Sequence, residues 1–239
     1  MNRNYIVFFS ASCFFVGLML ASMPELQTFL PSLLEGTRVT IVVTLGGAVV
    51  AVFMALLSAL GKLYAPLPLK WLAITYIEIF RGTSALVQLF WLFFVLPHFG
   101  ITLEPITVGI LALGLNIGAY GAEVVRGAIQ AIPRGQWEAT IALNMNFRTK
   151  MQRIILPQAF VAMIPPWGNL FIELLKATSL VSLITLADLT FRAQQLNQVT
   201  FKTLEIFTIV LVIYLILSVI ITSIMRTLEK RFSQGMSRR

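Results

Sequence analysis

The stretch PRGQWEATIALNMNFRTKMQRIILP, residues 133–157, is a basic and mostly polar segment between two long apolar segments. Pro133 is predicted to end the helix before it, because a proline nitrogen cannot donate a hydrogen bond and the ring clashes with the preceding turn. Gly135 then lets the chain turn. A short helix is predicted to open at Gln136, with Glu138 in its first turn, where free amide groups and the helix dipole favour a carboxylate.

A second short helix is predicted in the same segment, which we call the connector. Ala139 and Leu143 lie four residues apart, on one face of the first helix. Past Asn144 the apolar residues again follow helical spacing, at Phe147, Met151, Ile154 and Ile155. Pro157 is predicted to close the unit. The connector is therefore predicted to be two short surface helices that offer apolar side chains and basic charge to a partner outside the membrane.

The composition is that of a membrane protein. Of the 239 residues, 58% are hydrophobic and only 12% are charged, and the mean hydropathy is +0.87, which is unlike a soluble domain. Apolar runs of about 20 residues recur along the chain, and each is long enough to cross a hydrocarbon layer of about 30 Å as a helix. The single cysteine and single histidine exclude a disulfide framework and a zinc site of several histidines, and we predict no metal site.

The net charge of +8 does not indicate a nucleic-acid partner, because the basic residues cluster at the ends of apolar segments. By the positive-inside rule such clusters mark cytoplasmic flanks. They lie in or beside the connector and at the end of the chain, at Arg126, Arg134, Arg148, Lys150, Arg153, Arg226, Lys230, Arg231, Arg238 and Arg239.

Six membrane crossings are predicted, with both termini on the cytoplasmic side. The segment at 5–23 is expected to be a membrane helix rather than a removed signal peptide. Links 24–36, 97–105 and 188–203 are expected at the outer surface, and Pro165 and Pro166 are expected to break the fifth crossing. Arg38, Arg192 and Lys202 depart from the charge rule. The crossings are 5–23, 39–60, 71–96, 106–132, 160–186 and 207–225.

Acidic and basic residues three positions apart occur inside the apolar segments. The pairs are Glu78 with Arg81, Glu123 with Arg126, and Glu173 with Lys176. An unpaired charge at the bilayer centre costs about 3 kcal/mol on insertion scales, so each group needs a partner, water or the bundle interior. Each pair could satisfy itself and lock helices together, which we favour for Glu123 with Arg126 near the cytoplasmic end.

The first and third pairs are predicted near mid-depth, where they suit a pathway for a polar solute. A solute that carries both an ammonium and a carboxylate could be met by this mixed set. Neutral hydrogen-bonding groups would be added by Asn116, Tyr120 and Asn169. For these two pairs the pathway and the purely structural alternative both stay open.

The chain contains no GxxxxGK[ST] loop that could hold a nucleotide. An intramembrane enzyme that uses Glu78 and Glu173 is one alternative, although a basic neighbour beside each suits solute binding better than acid catalysis. A channel that works alone is another. Copurification of an ATPase with the chain would separate these alternatives from a transporter.

The connector resembles the EAA loop of ABC importer permeases. The residues EATIALN and, after a gap, IILPQA carry the resemblance, with matches at Glu138, Ala139, Ile154, Leu156 and Pro157. Thr140 stands where the family has a second alanine. Asn144 stands where it has a glycine, and asparagine also tolerates a left-handed backbone.

Further matches narrow the resemblance to permeases of the polar amino acid type. They are EIFRGT at 78–83, GAYGAEVVRGAIQAIPRGQWEA at 118–139 and LLKATSLVSLI at 174–184, within a resemblance that covers roughly residues 33–232. Ser84 and Ala177 depart from the family, which commonly has proline and aspartate there.

The resemblance implies an all-α membrane protein with the type I ABC importer transmembrane fold. It implies an N-terminal helix and outer link at 1–32, a permease domain of five core helices at 33–229, and a basic cytoplasmic tail at 230–239. The chain would be a multi-pass permease subunit of a bacterial inner membrane, not an enzyme. Its solute would be a polar amino acid or a related zwitterion, such as an opine or the osmolyte ectoine.

The resemblance also implies partners. Two ATPase subunits would each accept a coupling helix at about 136–144, a second permease chain of the same or a sister type would complete the pathway, and an extracytoplasmic binding protein would deliver the solute. No cofactor would bind this chain, and ATP and Mg would lie on the ATPase. The residues implied to couple the ATPase are Gln136, Trp137, Glu138, Ala139, Leu143, Asn144 and Pro157.

Overall fold

The computed structural model describes residues 26–237, and every regular element in that range is helical. This confirms the all-α prediction, whereas the crossing predicted at 5–23 lies outside the described residues. We number the helices in chain order. They are α1 (Leu26–Tyr64), α2 (Leu67–Gly82), α3 (Ala85–Phe90), α4 (Pro105–Gln130), α5 (Arg134–Ala142), α6 (Phe147–Lys150), α7 (Leu156–Ala177), α8 (Leu189–Thr200) and α9 (Thr203–Ser237).

The described residues contain the crossings predicted between residues 39 and 225. Four continuous helical segments are long and apolar enough to cross a membrane, at Thr28–Tyr64, Pro105–Gln130, Phe147–Ile184 and Thr203–Ser233. A fifth span results when the bent pair Leu67–Gly82 and Ala85–Phe99 is counted as one.

Helix α1 begins earlier than predicted, so the expected link at 24–36 is wrong from Leu26 onward. The reason is tertiary packing, because Phe29 and Leu33 are buried against Leu189 of α8 and Ile206 of α9. At 39 residues and about 1.5 Å rise per residue, α1 is about 58 Å long. It therefore extends well beyond a hydrocarbon layer of about 30 Å.

The second predicted crossing of the described part is bent rather than straight. Helices α2 and α3 meet at 107°, and the chain is extended at Thr83 and Ser84. Beyond α3 the helix continues as a π turn at Trp91–Val95 and a 3₁₀ turn at Leu96–Phe99. It ends at Gly100, whose φ of 80° is a left-handed conformation that suits glycine.

Contrary to prediction, Pro165 and Pro166 do not break the span that contains them. Phe147–Ile184 is one continuous helical segment, with Pro165 and Pro166 inside α7. Pro157 follows a π turn at Met151–Ile155, where one extra residue relieves the clash of the ring with the preceding turn. Pro157 therefore does not close the connector, and the second predicted surface helix is the start of this span.

Helix α4 is the centre of the molecule, and α1, α2 and α7 pack against it. Small residues allow close approach: a Cβ on Gly46 would lie 2.7 Å from Ile110 Cδ1, and one on Gly114 would lie 2.7 Å from Val50 Cβ. Gly46 and Gly47 thus let α4 approach α1 closely. One continuous core cluster joins these helices.

The helices give the bundle two ends. At the connector end, the last turns of α1 lie against α4 and the connector, because Lys62 contacts Glu123 and Tyr64 contacts Met151. Helix α2 begins at the same end, at Leu67. At the far end, the start of α1, helix α8 and the start of α9 share a second apolar cluster. The segment predicted at the outer surface, 188–203, is mostly α8, and its Leu189 and Ala193 are buried in that cluster.

Candidate functional site

Helix α5 of the connector begins at Arg134, directly after Pro133 and two residues before the predicted start at Gln136, so Glu138 lies beyond the first turn, contrary to prediction. It ends at Ala142, and Asn144 adopts a φ of 49°. The prediction that Asn144 supplies a left-handed turn in place of glycine is thus confirmed. Two hydrogen bonds close the turn, from Asn144 N–H to Ile141 O at 2.9 Å and from Met145 N–H to Thr140 O at 3.0 Å.

Helix α5 presents one buried face and one exposed apolar face. Thr140 is buried, and its hydroxyl donates to Trp137 O at 2.7 Å. In contrast, Ile141 is 69% exposed and Leu143 is 74% exposed, and Gln136, Glu138 and Ala139 are exposed as well. Ile141 is not among the residues predicted from the Ala139–Leu143 spacing. It follows Glu138 by three positions, which places both residues on the same side of the helix.

Aromatic and cation contacts fix the connector to the end of α1. The Lys150 Nζ lies 5.5 Å from the Trp137 ring centroid, a cation–π distance. Phe147 packs edge-on against Tyr64 at 5.1 Å between centroids, and the Tyr64 hydroxyl donates to Met151 Sδ at 3.7 Å. The exposed apolar face of α5 is therefore held at a defined position relative to the transmembrane helices.

The pair Glu123 with Arg126 is closed, by which we mean that its charges form ion pairs within the chain. Glu123 accepts from Lys62 Nζ at 2.8 Å and from Arg126 Nε at 2.7 Å, and Arg126 also donates to Gln130 Oε1 at 2.5 Å. All three charged side chains are partly buried. The structural interpretation of Glu123 with Arg126 is confirmed, and the third partner, Lys62, joins α1 to α4.

The other two pairs are open. Within residues 26–237, neither Glu78 with Arg81 nor Glu173 with Lys176 forms an ion pair within 4.0 Å. All four side chains are exposed on the single chain. The alternative in which these pairs satisfy themselves is therefore not realised, although both lie within membrane-crossing segments.

The bend between α2 and α3 is held by polar side chains of α3 and α4. Asn116 donates its amide to Phe80 O at 2.9 Å and to Gln88 Oε1 at 3.2 Å. Gln88 also donates to Phe80 O at 3.0 Å and to Thr83 Oγ1 at 2.7 Å. These bonds satisfy groups that the broken helix leaves without helical partners, so the buried Asn116 positions the bend. The candidate set from the sequence did not include Gln88.

The bend also positions Arg81. Its guanidinium lies 5.4 Å from the centroid of the Tyr120 ring, and the Tyr120 hydroxyl donates to Arg81 O at 3.4 Å. Arg81 is thus held at the break while its charge stays exposed. A mostly apolar cavity of about 310 Å³ lies in the bend, lined by Ile79, Phe80, Thr83, Val87, Gln88, Trp91 and Leu92.

The remaining predicted residues lie along one face of α7. Asn169, Glu173 and Lys176 are spaced four and three residues apart, which places them on one side of the helix. All are exposed. Both α2 and α7 pack on α4, so the two charged sets flank the central helix. Among the described residues, no group of three histidine, cysteine, aspartate or glutamate side chains is placed to hold a metal ion.

The connector helix and the membrane-crossing helices with exposed charges are also explained by the family that this chain is similar to. The family described as "Binding-protein-dependent transport system inner membrane component" matches residues 47–234. A probable amino-acid ABC transporter permease protein of Sinorhizobium fredii is 46% identical over 207 residues, covering 84% of this chain and 87% of the relative. The L-cystine transport system permease protein of Bacillus subtilis is 37% identical over 209 residues, covering 87% and 89%.

A solved structure shares the fold. The crystal structure of an amino acid ABC transporter with histidines superposes with a TM-score of 0.81 at 35% identity, covering 87% of this chain and 97% of that chain. The type I ABC importer fold is therefore present.

These similarities exclude the enzyme and stand-alone channel alternatives. The protein is a multi-pass inner-membrane component that imports polar amino acids, with ATP hydrolysis carried out by a separate subunit and with a solute-binding protein as a further partner. The chain belongs to the family of permease subunits of binding-protein-dependent amino-acid ABC transporters.

Proposed function

We propose that the open charges of α2 and α7 recognise the two charged groups of a zwitterionic amino acid as it crosses the membrane. One observation carries the proposal: Glu78, Arg81, Glu173 and Lys176 lie in membrane-crossing segments, are exposed on the single chain and form no ion pair with any residue between 26 and 237. Charges at membrane depth face a water-filled cavity, a partner or a solute. Two acids and two bases together complement a solute of zero net charge.

The division of roles follows from charge. Arg81, positioned by Tyr120, presents a planar guanidinium that suits a carboxylate in two-point contact. Glu173 and Glu78 suit the ammonium group, and Lys176 adds a second positive charge near Glu173 on α7. Asn169 supplies a neutral hydrogen-bonding group on the same face. Asn116 and Tyr120 act through the bend rather than through the solute.

The names of the relatives support this solute class. Glutamine, arginine and L-cystine are the solutes named for matched permeases, and all carry an α-ammonium and an α-carboxylate. Opines and zwitterionic osmolytes such as ectoine share that chemistry. We propose an amino acid as the solute, because glutamine, arginine and L-cystine are all amino acids.

We propose that α5 is the coupling helix. Its exposed apolar end, Ile141 with Leu143, together with Gln136, Glu138, Ala139 and the turn at Asn144, would enter a groove of the ATPase, and Trp137 would hold the helix to the bundle. Because each permease chain offers one such helix, two permease chains, identical or sister, would engage two ATPase subunits. ATP and Mg would lie on those subunits. Basic residues at the connector end support cytoplasmic termini.

Transport would then follow ATP-driven rocking of the bundle. Closure of the ATPases moves both α5 helices, and the transmembrane helices alternate between outward-open and inward-open states. Pro157, inside the span that starts at Phe147, would not touch the ATPase but would shape the helix between the connector and the charges on α7.

The test is solute-dependent uptake into proteoliposomes that contain the permease with its ATPase and solute-binding protein. With Arg81→Gln we expect uptake to fall at least about tenfold, the loss of one charged hydrogen-bonding contact, while the complex still assembles. A conservative Arg81→Lys variant should recover part of the activity, because it restores charge but not planar geometry. Unchanged affinity and selectivity in Arg81→Gln would contradict the proposed recognition.

A further inference from the structure

The turn between α8 and α9, residues 199–203, exposes two large apolar side chains. Val199 is 81% exposed and Phe201 is 84% exposed, the highest values among the large apolar side chains of the described residues. We call this segment the α8–α9 tip. It lies at the far end of the bundle, where α8 and the start of α9 join the first turns of α1.

The backbone of the tip holds Phe201 in a costly conformation. Its φ is 55° and its ψ is 24°, and a left-handed conformation costs an ordinary residue about 1–2 kcal/mol. Its N–H donates to Asn197 O at 2.9 Å, which ends α8 as a glycine or asparagine would do at lower cost. An exposed aromatic ring in a strained position gains nothing from the isolated chain, so a benefit outside the chain is indicated.

Side-chain hydrogen bonds fix the tip. Thr203 Oγ1 donates to Asn197 Oδ1 at 2.8 Å, and Thr200 Oγ1 donates to Leu196 O at 2.8 Å. The ring is therefore presented from a defined turn. A fixed apolar side chain loses less conformational entropy when it enters a partner's pocket, which makes such a residue suited to anchoring an interface.

The surroundings of the tip favour a protein partner over lipid. The preceding membrane span ends at Ile184 and the next begins at Thr203, so α8 and Phe201 lie between spans. The exposed side chains of α8 include Gln194, Gln195 and Gln198. An apolar centre bordered by these amides and by the partly exposed Lys202 is the anatomy of a protein–protein interface.

The end of the bundle identifies the partner, on the condition that the proposed function holds. The connector end faces the ATPase, so the far end faces the medium from which the solute arrives. The family is binding-protein-dependent, and the binding protein must deliver its solute at that end. We propose that the α8–α9 tip docks the solute-binding protein, with Phe201 entering an apolar pocket on that protein and the glutamines of α8 contacting its rim.

The test uses the permease assembled with its ATPase in nanodiscs, titrated with the purified solute-binding protein that supports uptake by the wild-type complex. Phe201→Asn keeps a residue that tolerates the left-handed turn but removes the ring. We expect the binding-protein concentration for half-maximal ATPase stimulation to rise at least about tenfold, as for loss of an interface anchor, with the change falling on that concentration rather than on the rate at saturation. Phe201→Gly should give the same shift.

Leu67→Asn is the matched control, because Leu67 is 70% exposed but lies at the connector end, and its titration should match wild type. In Phe201→Trp, the binding protein should shift the tryptophan emission to the blue as the ring becomes buried. An unchanged titration in both Phe201→Asn and Phe201→Gly overturns the docking surface alone. Quenching of the Phe201→Trp signal by brominated lipid would make the tip a membrane anchor and also overturn it. If no binding protein stimulates the wild-type complex, the proposed function itself fails.

Discussion

Two regions of this permease carry the same sequence pattern, an acid and a base three residues apart within a membrane helix, yet one is closed and the other is open. At the connector end, Glu123 is bound by Arg126 and by Lys62 from another helix. On α2 and α7, the corresponding pairs are exposed and form no ion pair within the part of the chain that the structure describes. The difference teaches that spacing alone does not decide the role of a charge, because a third partner from a neighbouring helix does.

The connector extends this comparison beyond charged residues, since Thr140 of α5 is buried and Leu143 beside it is exposed. Leu143→Asp should abolish ATPase stimulation by solute-loaded binding protein, a fall of at least about 100-fold, because a carboxylate would have to enter an apolar groove without a partner. The measurement is ATP hydrolysis in proteoliposomes. The control is Asn146→Asp, which also places a carboxylate at an exposed connector position, keeps the cap on Thr149 N–H and is not assigned to coupling. Normal stimulation in Leu143→Asp would show that α5 does not dock there.

Glu173→Gln tests the open side of the comparison. We expect uptake to fall about 30-fold at matched protein levels, the equivalent of about 2 kcal/mol for a lost charged hydrogen bond. The thermal stability of the complex should stay unchanged, because no residue in the described range 26–237 pairs with Glu173. A loss of stability without a change in solute affinity would mean that Glu173 is closed by the second permease chain.

Glu123→Gln tests the closed side. We expect the free energy of unfolding to fall by about 2 kcal/mol, less than for a fully buried pair because Lys62 and Arg126 are partly exposed. Thermal unfolding in detergent gives the measurement. Uptake per folded complex should be retained, and the paired variant Lys62→Gln with Glu123→Gln should recover part of the stability. Loss of uptake without loss of stability would move Glu123 to the open class.

Asp188 is a third kind of charge, buried but without a basic partner on its free oxygen. Its Oδ1 accepts from Phe191 N–H at 2.8 Å, which caps α8, whereas its Oδ2 is buried without a hydrogen-bond partner. Burial raises the pKa of this carboxyl from its ordinary value of 3.8 to about 6. The folded state therefore binds the proton more tightly than the unfolded state does, and the contribution to stability is lost as pH rises through about 6.

The expected effect is small and has a defined sign. Between pH 5 and pH 7 the free energy of unfolding should fall by about 1 kcal/mol through this group. Asp188→Asn keeps the cap and should remove that part of the pH dependence, which thermal unfolding at the two pH values measures. The same slope in wild type and Asp188→Asn would assign the pH dependence to other groups.

The sequence predicted what depends on local chemistry. The apolar runs gave the spans, Pro133 marked the start of α5, and Asn144 marked its left-handed end. It did not predict the 107° bend at Thr83 and Ser84, because the carbonyls freed there are held by Asn116, which lies 36 positions from Phe80.

The predictions for Pro165 and Pro166 and for the outer link at 24–36 were wrong for a related reason. Pro165 and Pro166 predict a break from local rules, but helices within a packed bundle tolerate them. Residues 26–36 are predicted as part of an outer link that carries Glu25 and Glu35 and no lysine or arginine. They are helical because Phe29 and Leu33 are buried by α8 and α9. For the candidate site, the sequence identified the charges but could not show which pairs would close.

The length of α1 has a mechanical consequence. Near one end, Glu35 is 3.4 Å from Arg192 of α8, and near the other, Lys62 is bound to Glu123. One long helix thus contacts both the region that we propose faces the ATPase and the helix that carries the α8–α9 tip. Over about 58 Å, a tilt of about 5° displaces one end by about 5 Å relative to the other. A small displacement of the connector end of α1 would therefore move its other end by more than the width of an atom, with no relay of side chains in between.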